Sequence, residues 1–409
     1  MKRIEYILLL AILLLASCDS DEPKINGNDF PISYGYMQFY TGVSSRAQLA
    51  TDMKERNFGV LGYKYSATTT WDAAKALATP NIFYNQQVSC DGNGICTYDI
   101  SSEAGVQLKP WEDNNYAFFA YHPYNGAGIE LSESGKTNTP MLTYTYGWLN
   151  PQSSDGWYSS NTKTINVCHS NVPVFDLMTA EAIDVNGSGE GRVAFDFKHR
   201  LCAIEVLANN YNENEYEYET NADGTFKLDD KGNKIIKTDE NGDKIIKTSA
   251  RQTITNLQLT LTGLAHSTMT IPLSMIERES KPVYSGGSPG DSITFKISED
   301  AVEIPAFNET VDGYGAGIAK SISLKGSANG GYIMLIPQKG SNQGIKGKLN
   351  WAELKNFTGN NVSTEFTSTI DFEPGRLYQI YINFVGSGIT IALIEAGAWN
   401  PWDVTHTFE

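Results

Sequence analysis

Cys18 is the residue whose surroundings point most directly to chemistry. It follows Leu15, Ala16 and Ser17, which close an apolar run over residues 6–16 after a short basic start. That run has the length of a signal-peptide hydrophobic region and is too short to span a bilayer. Small residues before a cysteine fit a peptidase cleft, and the thiol can carry diacylglycerol. We predict a signal peptide over 1–17, lipidation of Cys18 and a solvated tether over 18–29.

Four further cysteines remain for pairing. Cys90 and Cys96 bracket a five-residue, turn-rich loop, and thiols of an exported protein can oxidise, so we predict a disulfide that staples a hairpin. Cys168 and Cys202 could pair across strands or stay buried as small apolar groups. No histidine or second cysteine stands at ligand spacing beside any of them, so we predict no metal site.

The remaining reactive residue types do not form a catalytic pattern. The histidines are His122, His169, His199, His266 and His406. None lies in an HExxH pattern, and the chain has no Gly-x-Ser-x-Gly elbow or phosphate-binding glycine loop. We therefore predict no catalytic residue, no cofactor and no enzyme activity. A glycan-stacking platform is the alternative use of four tryptophans, although core packing is favoured for them. They are Trp148, Trp157, Trp399 and Trp402.

Composition indicates an all-β protein. The chain has 41% hydrophobic residues, 37 Gly, 22 Tyr and 17 Phe, which favours strands joined by tight turns. The formal net charge of −16 argues against nucleic acid or an anionic membrane surface as a partner. The length left after signal-peptide removal suits two or three domains of roughly 100–200 residues.

The hydrophobic pattern places most of the strands. Residues 57–65 alternate and predict a strand whose hairpin partner is 81–88. The run 116–124 predicts an apolar strand that Pro123 must end or push to a sheet edge, and 192–208 predicts one strand with a β-bulge near Lys198. Only residues 71–77 and 274–278 indicate short helices. A glycine-rich linker at 186–191 predicts two domains, 30–188 and 189–409, with sandwich or barrel architecture.

An internal repeat lies within the second domain. The ten-residue segment 229–238 is followed by a near copy at 239–248, and 221–228 is a weaker first copy. Asn-Gly and Asp-Gly turns between short strands predict a projecting β-ribbon. Calcium binding is the alternative, because Asp239, Asn241 and Asp243 alternate, but the rest of an EF-hand loop is missing.

Several motifs in order along the chain resemble those of the fimbrillin family of Bacteroidales. They are the aromatic strand ending in Tyr121-His122-Pro123-Tyr124, the segment Phe175-Asp176-Leu177-Met178-Thr179-Ala180, the strand beginning Phe197-Lys198-His199-Arg200-Leu201, and Phe372-Glu373-Pro374-Gly375-Arg376-Leu377-Tyr378. The family includes surface lipoproteins, and the acidic residues 19–22 resemble a signal for transfer to the outer leaflet of the outer membrane.

This resemblance implies two tandem transthyretin-like β-sandwich domains and a type V pilus subunit anchored by lipid at the cell surface. In the family, cleavage after a basic residue removes the first strand, and a strand of a neighbouring subunit fills the groove. Here Ile32, Tyr34 and Tyr36 would belong to the removed strand within 30–46, with Arg46 and Ala47 as the processing site. A donor face would come from Ile389, Ile391 and Leu393.

The implied partners are other pilus subunits, the outer membrane through the lipid, and host or bacterial surface glycans or proteins. The motifs do not separate a stalk, tip or anchor subunit. The alternative function is that of a monomeric glycan-binding outer-membrane lipoprotein of a nutrient-uptake system, which needs only a tether before residue 47.

Overall fold

A computed structural model describes most of the chain beyond residue 36. The described residues are 37, 39–41, 56–91, 95–98, 109–126, 128–132, 140–145, 158–159, 164–166, 176–188, 193–264, 266–273, 282–286, 292–309, 320–324, 332–338, 345–353 and 360–398. Within them the secondary structure is nearly all β, which confirms the predicted fold class. The one described helix, α1 (Trp71–Ala74), lies inside the predicted 71–77 segment.

The strands of the first half, in chain order, are β1 (Phe39–Thr41), β2 (Asn57–Tyr65), β3 (Phe83–Cys90), β4 (Ile95–Tyr98), β5 (Asn115–His122), β6 (Ile129–Leu131), β7 (Met141–Thr145), β8 (Tyr158–Ser159), β9 (Thr164–Asn166), β10 (Met178–Asn186), β11 (Val193–Phe195) and β12 (Lys198–His199). The strands that follow are β13 (Cys202–Asn210), β14 (Glu215–Tyr216), β15 (Ile246–Thr248), β16 (Gln252–Thr262), β17 (Thr268–Pro272), β18 (Val283–Ser285), β19 (Ser292–Ser298), β20 (Val302–Ile304), β21 (Ile322–Ser323), β22 (Ile333–Leu335), β23 (Ile345–Glu353), β24 (Asn360–Ser368), β25 (Arg376–Val385) and β26 (Gly388–Ala398).

An eight-stranded sheet dominates the first half, in the order β11-β1-β4-β3-β2-β5-β10-β12. Its two end strands, β11 and β12, are separated in the chain only by Asp196 and Phe197. The sheet must therefore curl until its two ends come close together. The curled interior holds a core of its own that is rich in aromatic rings, including Phe39, Phe58 and Phe118.

Strands β2 and β5 are buried on both faces, which explains their nearly continuous apolar sequences. Phe58 of β2 and Phe118 of β5 point into the curled interior. Leu61 and Phe119, on the opposite faces of the same strands, belong to a second core shared with the C-terminal sheets. Sandwiching between two cores replaces the usual alternation of apolar and polar residues.

Most strands of the C-terminal half lie in two sheets that pack face to face. One has the order β24-β23-β16-β19-β9-β8 with β20 also on β16, and the other has β21-β13-β25-β26 with β22 on β13. Trp351 of β23 meets Phe384 of β25 edge to face, with ring centres 6.5 Å apart, so the sheets close on one core. In the described part of the chain, no helix has the length and apolar character needed to cross a bilayer.

Strand pairing runs across the sequence position 188/189 that was predicted as a domain boundary. Strands β11 and β12 lie beyond it but belong to the eight-stranded sheet. Strand β7 pairs with β17 in a four-stranded sheet of order β18-β17-β7-β6, and β9 pairs with β19. Strands from the two sides of position 188/189 thus pair with one another within the same sheets. The division into domains at 188/189 stays a prediction.

The predicted bulged strand over 192–208 is wrong. The chain instead forms β11, β12 and β13, which the breaks at 196–197 and 200–201 separate. Strands β11 and β12 join opposite ends of the eight-stranded sheet, whereas β13 lies inside the C-terminal sheet. The change of phase near Lys198 marks a passage between sheets.

Candidate functional site

The first described strand, β1, fills a gap between two other strands. It pairs antiparallel with β4 and parallel with β11, and Met37 just before it donates its N–H to the Lys109 carbonyl at 2.8 Å. The side chains of Met37 and Phe39 are 1% and 2% exposed. A strand with neighbours on both sides and a buried face is an integral part of the sheet, although only three residues long.

Phe39 is the centre of the curled interior. Its ring centre lies 5.8 Å from Phe83, 6.1 Å from Tyr98, 5.7 Å from Phe118 and 5.6 Å from Phe195. Three of these contacts are edge to face and the fourth is stacked, both of which are favourable geometries for aromatic rings. The four partner rings come from β3, β4, β5 and β11, so one side chain ties four strands together.

The disulfide between Cys90 and Cys96 stands beside this gap. It links β3 to β4, and Cys96 is the register partner of Phe39. One wall of the gap is therefore a covalently closed hairpin. Cys202, by contrast, is a buried thiol whose Sγ donates to the Leu335 carbonyl at 3.2 Å. Burial raises the pKa of this thiol well above its usual range, which keeps it protonated.

The residues predicted for removal and processing lie outside the described ranges. These are Cys18, Ile32, Tyr34, Tyr36, Arg46 and Ala47. Sequence reasoning did not single out Met37 and Phe39, which are the residues of this segment that the structure places in the core. The alternation Met37, Gln38, Phe39 was the available signal.

The predicted donor residues lie on β26, at one edge of the C-terminal sheet. Ile389, Ile391 and Leu393 are half-buried and pack against the chain's own second core. The outward face includes Ile394, which is 40% exposed. Strand β26 pairs with β25 from Val385↔Gly388 to Arg376↔Ala398, and its other edge bears no strand in the described part of the chain. Unpaired edges can accept another chain.

The repeat forms three hairpin turns of one design, as predicted. Asn221, Asp229 and Asp239 each begin a five-residue turn and donate their N–H to the carbonyl of the fifth residue, at 2.7, 2.8 and 2.8 Å. The fourth residue of each turn is glycine because φ there is positive, between 84° and 88°. Those glycines are Gly224, Gly232 and Gly242.

The turn itself accounts for the alternating acidic residues considered for calcium. Asp239 Oδ1 accepts the backbone N–H groups of Asn241 at 2.8 Å and Asp243 at 2.9 Å. Asp229 does the same with Lys231 and Asn233, although a lysine stands at the middle position. Within the described residues, no group of three or more acidic, histidine or cysteine side chains is placed to hold a metal ion.

Backbone hydrogen bonds join the hairpins in two closed rings of three residues. In the first, Lys227 donates to Glu219, Ile235 to Lys227 and Glu219 to Ile235, at 2.9, 3.0 and 2.9 Å. The second ring joins Glu217, Lys237 and Ile245 in the same manner, at 2.8, 2.9 and 3.0 Å. We call residues 215–248 the ribbon; its hairpins are bound to one another by their backbones.

The three histidines that the structure describes are packing residues. His122 is 6% exposed and its Nδ1 lies 2.6 Å from the Asn57 carbonyl, which assigns the Nδ1 proton to a donor role. Burial lowers the pKa of His122 to about 4. His199 Nδ1 lies 2.6 Å from Asp176 Oδ2, and His266 packs against the Tyr284 ring. The four tryptophans considered for a glycan platform lie outside the described ranges.

Fold and site together define the class: an all-β sandwich protein whose first described strand fills a gap between two others. The fimbrillin-like family model matches residues 45–402, and the chain belongs to that family. The predicted family resemblance is thereby confirmed. The chain is accordingly a fimbrial protein, and its family is not one of enzymes.

One solved structure supports this fold. A fimbrial protein from Bacteroides vulgatus is 17% identical, with 89% of this chain and 99% of that chain covered and a TM-score of 0.52. The fimbrial anchor protein Mfa2 from Porphyromonas gingivalis is 9% identical over 89% of this chain and 98% of that chain, with a TM-score of 0.30, so only the first supports the fold. No curated protein sequence matches the chain.

Proposed function

We propose that this chain is a fimbrial subunit that polymerises by strand exchange after losing its first strand. The observation that carries the proposal is the position of Phe39, which sits in a gap between β4 and β11 among four rings of other strands. Cleavage after Arg46, before Ala47, would remove Met37 and all of β1. It would leave a groove with apolar rings and two strand edges ready to bond.

A strand from a neighbouring subunit satisfies both features of that groove. Its backbone can bond to the exposed edges of β4 and β11, and alternate side chains can occupy the space of Met37 and Phe39. Burying one phenylalanine side chain contributes about 1.5–3 kcal/mol. Burial of apolar side chains in the empty groove would therefore favour binding of a strand from a second chain.

Export and anchoring fit the same sequence of events. A lipid on Cys18 would hold the uncut chain in the outer membrane, and cleavage at Arg46 would release the subunit from that lipid. A subunit that remains uncut would stay attached and serve as an anchor. The partners are then other fimbrial subunits, and the location is the cell-surface fimbrium.

Substitution of Arg46 tests the processing step. We expect Arg46→Ala chains to be exported and lipidated, to keep the uncut mass on gels and to form no filaments. A double variant, Lys54→Ala with Arg56→Ala, changes the nearby basic residues and should be processed normally. Normal filaments from Arg46→Ala cells would refute cleavage at that site.

The donor assignment has its own test, because β26 is fully paired with β25. Tyr381 and Ala392 are opposite one another in that pair. The double variant Tyr381→Cys with Ala392→Cys can therefore form a disulfide that holds β26 on β25. If Ile389, Ile391 and Leu393 enter a neighbour's groove, the oxidised variant should not polymerise and dithiothreitol should restore assembly. Wild type treated with dithiothreitol is the control, since Cys90–Cys96 is also reduced. Filaments from the locked chain would show that β26 is not the donor.

A further inference from the structure

Five of the six lysines of the ribbon, all but Lys231, fall into two groups with different surroundings. Three lysines form ion pairs with glutamates of the first ribbon strand. Those pairs are Lys227–Glu219 at 2.8 Å, Lys237–Glu217 at 3.0 Å and Lys247–Glu215 at 4.0 Å. Each of these positive charges is balanced within the ribbon itself.

The other group lies over aromatic rings instead. Lys234 Nζ is 4.0 Å from the ring centre of Phe226 and 5.4 Å from that of Tyr218, and Lys244 Nζ is 5.4 Å from that of Tyr216. Neither ammonium has an ion pair with a carboxylate in the described part of the chain. The rings hold the two charges in place without neutralising them.

Exposed apolar side chains surround these lysines. Phe226 is 45% exposed and Leu228, whose register partner is Lys234, is 56% exposed. Ile246, the register partner of Tyr216, is 40% exposed. We call Tyr216, Tyr218, Phe226, Leu228, Lys234 and Lys244 the aromatic–lysine surface. Large apolar groups exposed side by side are typical of interaction sites.

The base of the ribbon is fixed to the sandwich by a polar cluster. Asn214 is 4% exposed; its Nδ2 donates to Glu309 at 2.6 Å, and its Oδ1 accepts the Ala250 N–H at 2.7 Å. Asn308 bonds both the N–H and the carbonyl of Asn214, at 2.8 and 2.9 Å. Arg251 binds the Glu309 carboxylate at 2.9 and 3.0 Å. Both ends of the ribbon are therefore held, which gives the aromatic–lysine surface a fixed orientation and lowers the entropic cost of binding.

We infer that the aromatic–lysine surface is a docking site for an acidic, partly apolar protein surface. Local charge complementarity supports an acidic partner, because the Lys234 and Lys244 ammonium groups on this surface have no ion-paired carboxylate among the described residues. The exposed aliphatic side chains of Leu228 on this surface and of Ile246, opposite Tyr216, favour a protein, whose side chains can cover such groups. A sugar would need an open ring face, and Lys234 covers one face of Phe226. The inference does not depend on strand exchange.

Binding of the purified full chain to a random glutamate–tyrosine copolymer tests this site. Poly-L-glutamate is the probe that keeps the charge without the apolar groups, and polygalacturonate is the acidic carbohydrate. We expect the copolymer to bind better than either and binding to weaken with salt. The double variant Lys234→Gln with Lys244→Gln should bind about tenfold more weakly, as expected for two lost surface charge pairs.

The matched control is Lys237→Gln with Lys247→Gln, which removes the same charge from the ion-paired lysines of the same ribbon. Copolymer binding that this control retains, and that the first variant loses, would support the site. An equal loss of copolymer binding in both variants would show that binding depends only on the net charge of the ribbon, and this would overturn the inference. Tighter binding of polygalacturonate, or no binding of the copolymer by wild type, would also overturn it. Circular dichroism of both variants checks that the ribbon remains folded.

Discussion

Truncation of Phe39 to alanine should weaken the uncut chain but leave assembled filaments unchanged. The side chain is 2% exposed and touches four rings, so its removal leaves a cavity in the curled interior. Buried phenylalanine-to-alanine changes cost about 3–5 kcal/mol. We expect about 3 kcal/mol here, since a strand of three residues can shift to refill part of the space.

The assay compares two states of the same variant. Urea unfolding of the uncut chain should show the loss as a lower midpoint with an unchanged slope. Filaments made by Phe39→Ala cells should dissociate at the same urea concentration as wild-type filaments, because the proposed cleavage after Arg46 removes the substituted strand. Phe118→Ala is the matched control: its ring lines the gap from β5, remains after cleavage and should destabilise both states.

Two outcomes would refute the reasoning. If filaments of Phe39→Ala dissociate as early as those of Phe118→Ala, then β1 is still present in the filament. If the uncut Phe39→Ala chain unfolds at the same urea concentration as wild type, then Phe39 does not stabilise the curled interior. Removal of β1 would then leave a groove that does not favour binding of a second strand.

Two further predictions concern stability. Replacing Cys90 and Cys96 with serine should lower the free energy of unfolding by about 2 kcal/mol, the chain-entropy value for so short a loop, and reduction of wild type should reproduce the effect in urea titrations. His122, with a pKa of about 4 when folded and 6.5 when unfolded, takes up a proton on unfolding between these values. Above pH 6.5, His122 is neutral in both states and does not lower the free energy of unfolding. As the pH falls towards 4, protonation of the unfolded chain lowers this free energy by roughly 3 kcal/mol in total. The stability of His122→Gln should therefore depend less on pH than that of wild type across this window, and parallel curves would contradict the buried neutral imidazole.

Local pairing could be predicted from sequence because its signals are local. The alternation over 57–65 and 81–88 predicted the β2–β3 hairpin, which is confirmed. The aromatic run before Pro123 predicted β5, which ends at His122. Apolar periodicity identifies the buried residues of a strand, and strands that follow one another in the chain often pair.

Pairing over long distances could not be predicted in this way. Strands β7 and β17 meet with Thr143 opposite Thr270, and nothing in either segment indicates the other. The run over 192–208 looks continuous because Val193 and Phe195 of β11 and all of β13 are buried, although these two strands lie in different sheets. Burial leaves a pattern in the sequence, whereas the identity of the sheet depends on contacts far along the chain.

The same limit applies to the ribbon. The repeated Asn-Gly and Asp-Gly turns indicated hairpins, and the positive φ of their glycines agrees with that prediction. The closed rings of backbone bonds carry no side-chain signature, so the sequence could not show that Lys234 would lie over Phe226. The distinction between paired and unpaired lysines emerges only in three dimensions.

A removable first strand requires walls that keep their shape when the strand has gone. The wall on one side is β4, which is paired with β3 and joined to it by the Cys90–Cys96 disulfide. The wall on the other side is β11, two residues from β12, which pairs with β10 at the far end of the sheet. Neither support involves β1. In addition, β2 and β5 are clamped from outside by the second core, where Leu61 and Phe119 are buried. A sheet supported from both ends and from behind can lose a strand of three residues and still present a groove, whereas a strand at a free edge would leave no enclosed gap for a neighbour to fill.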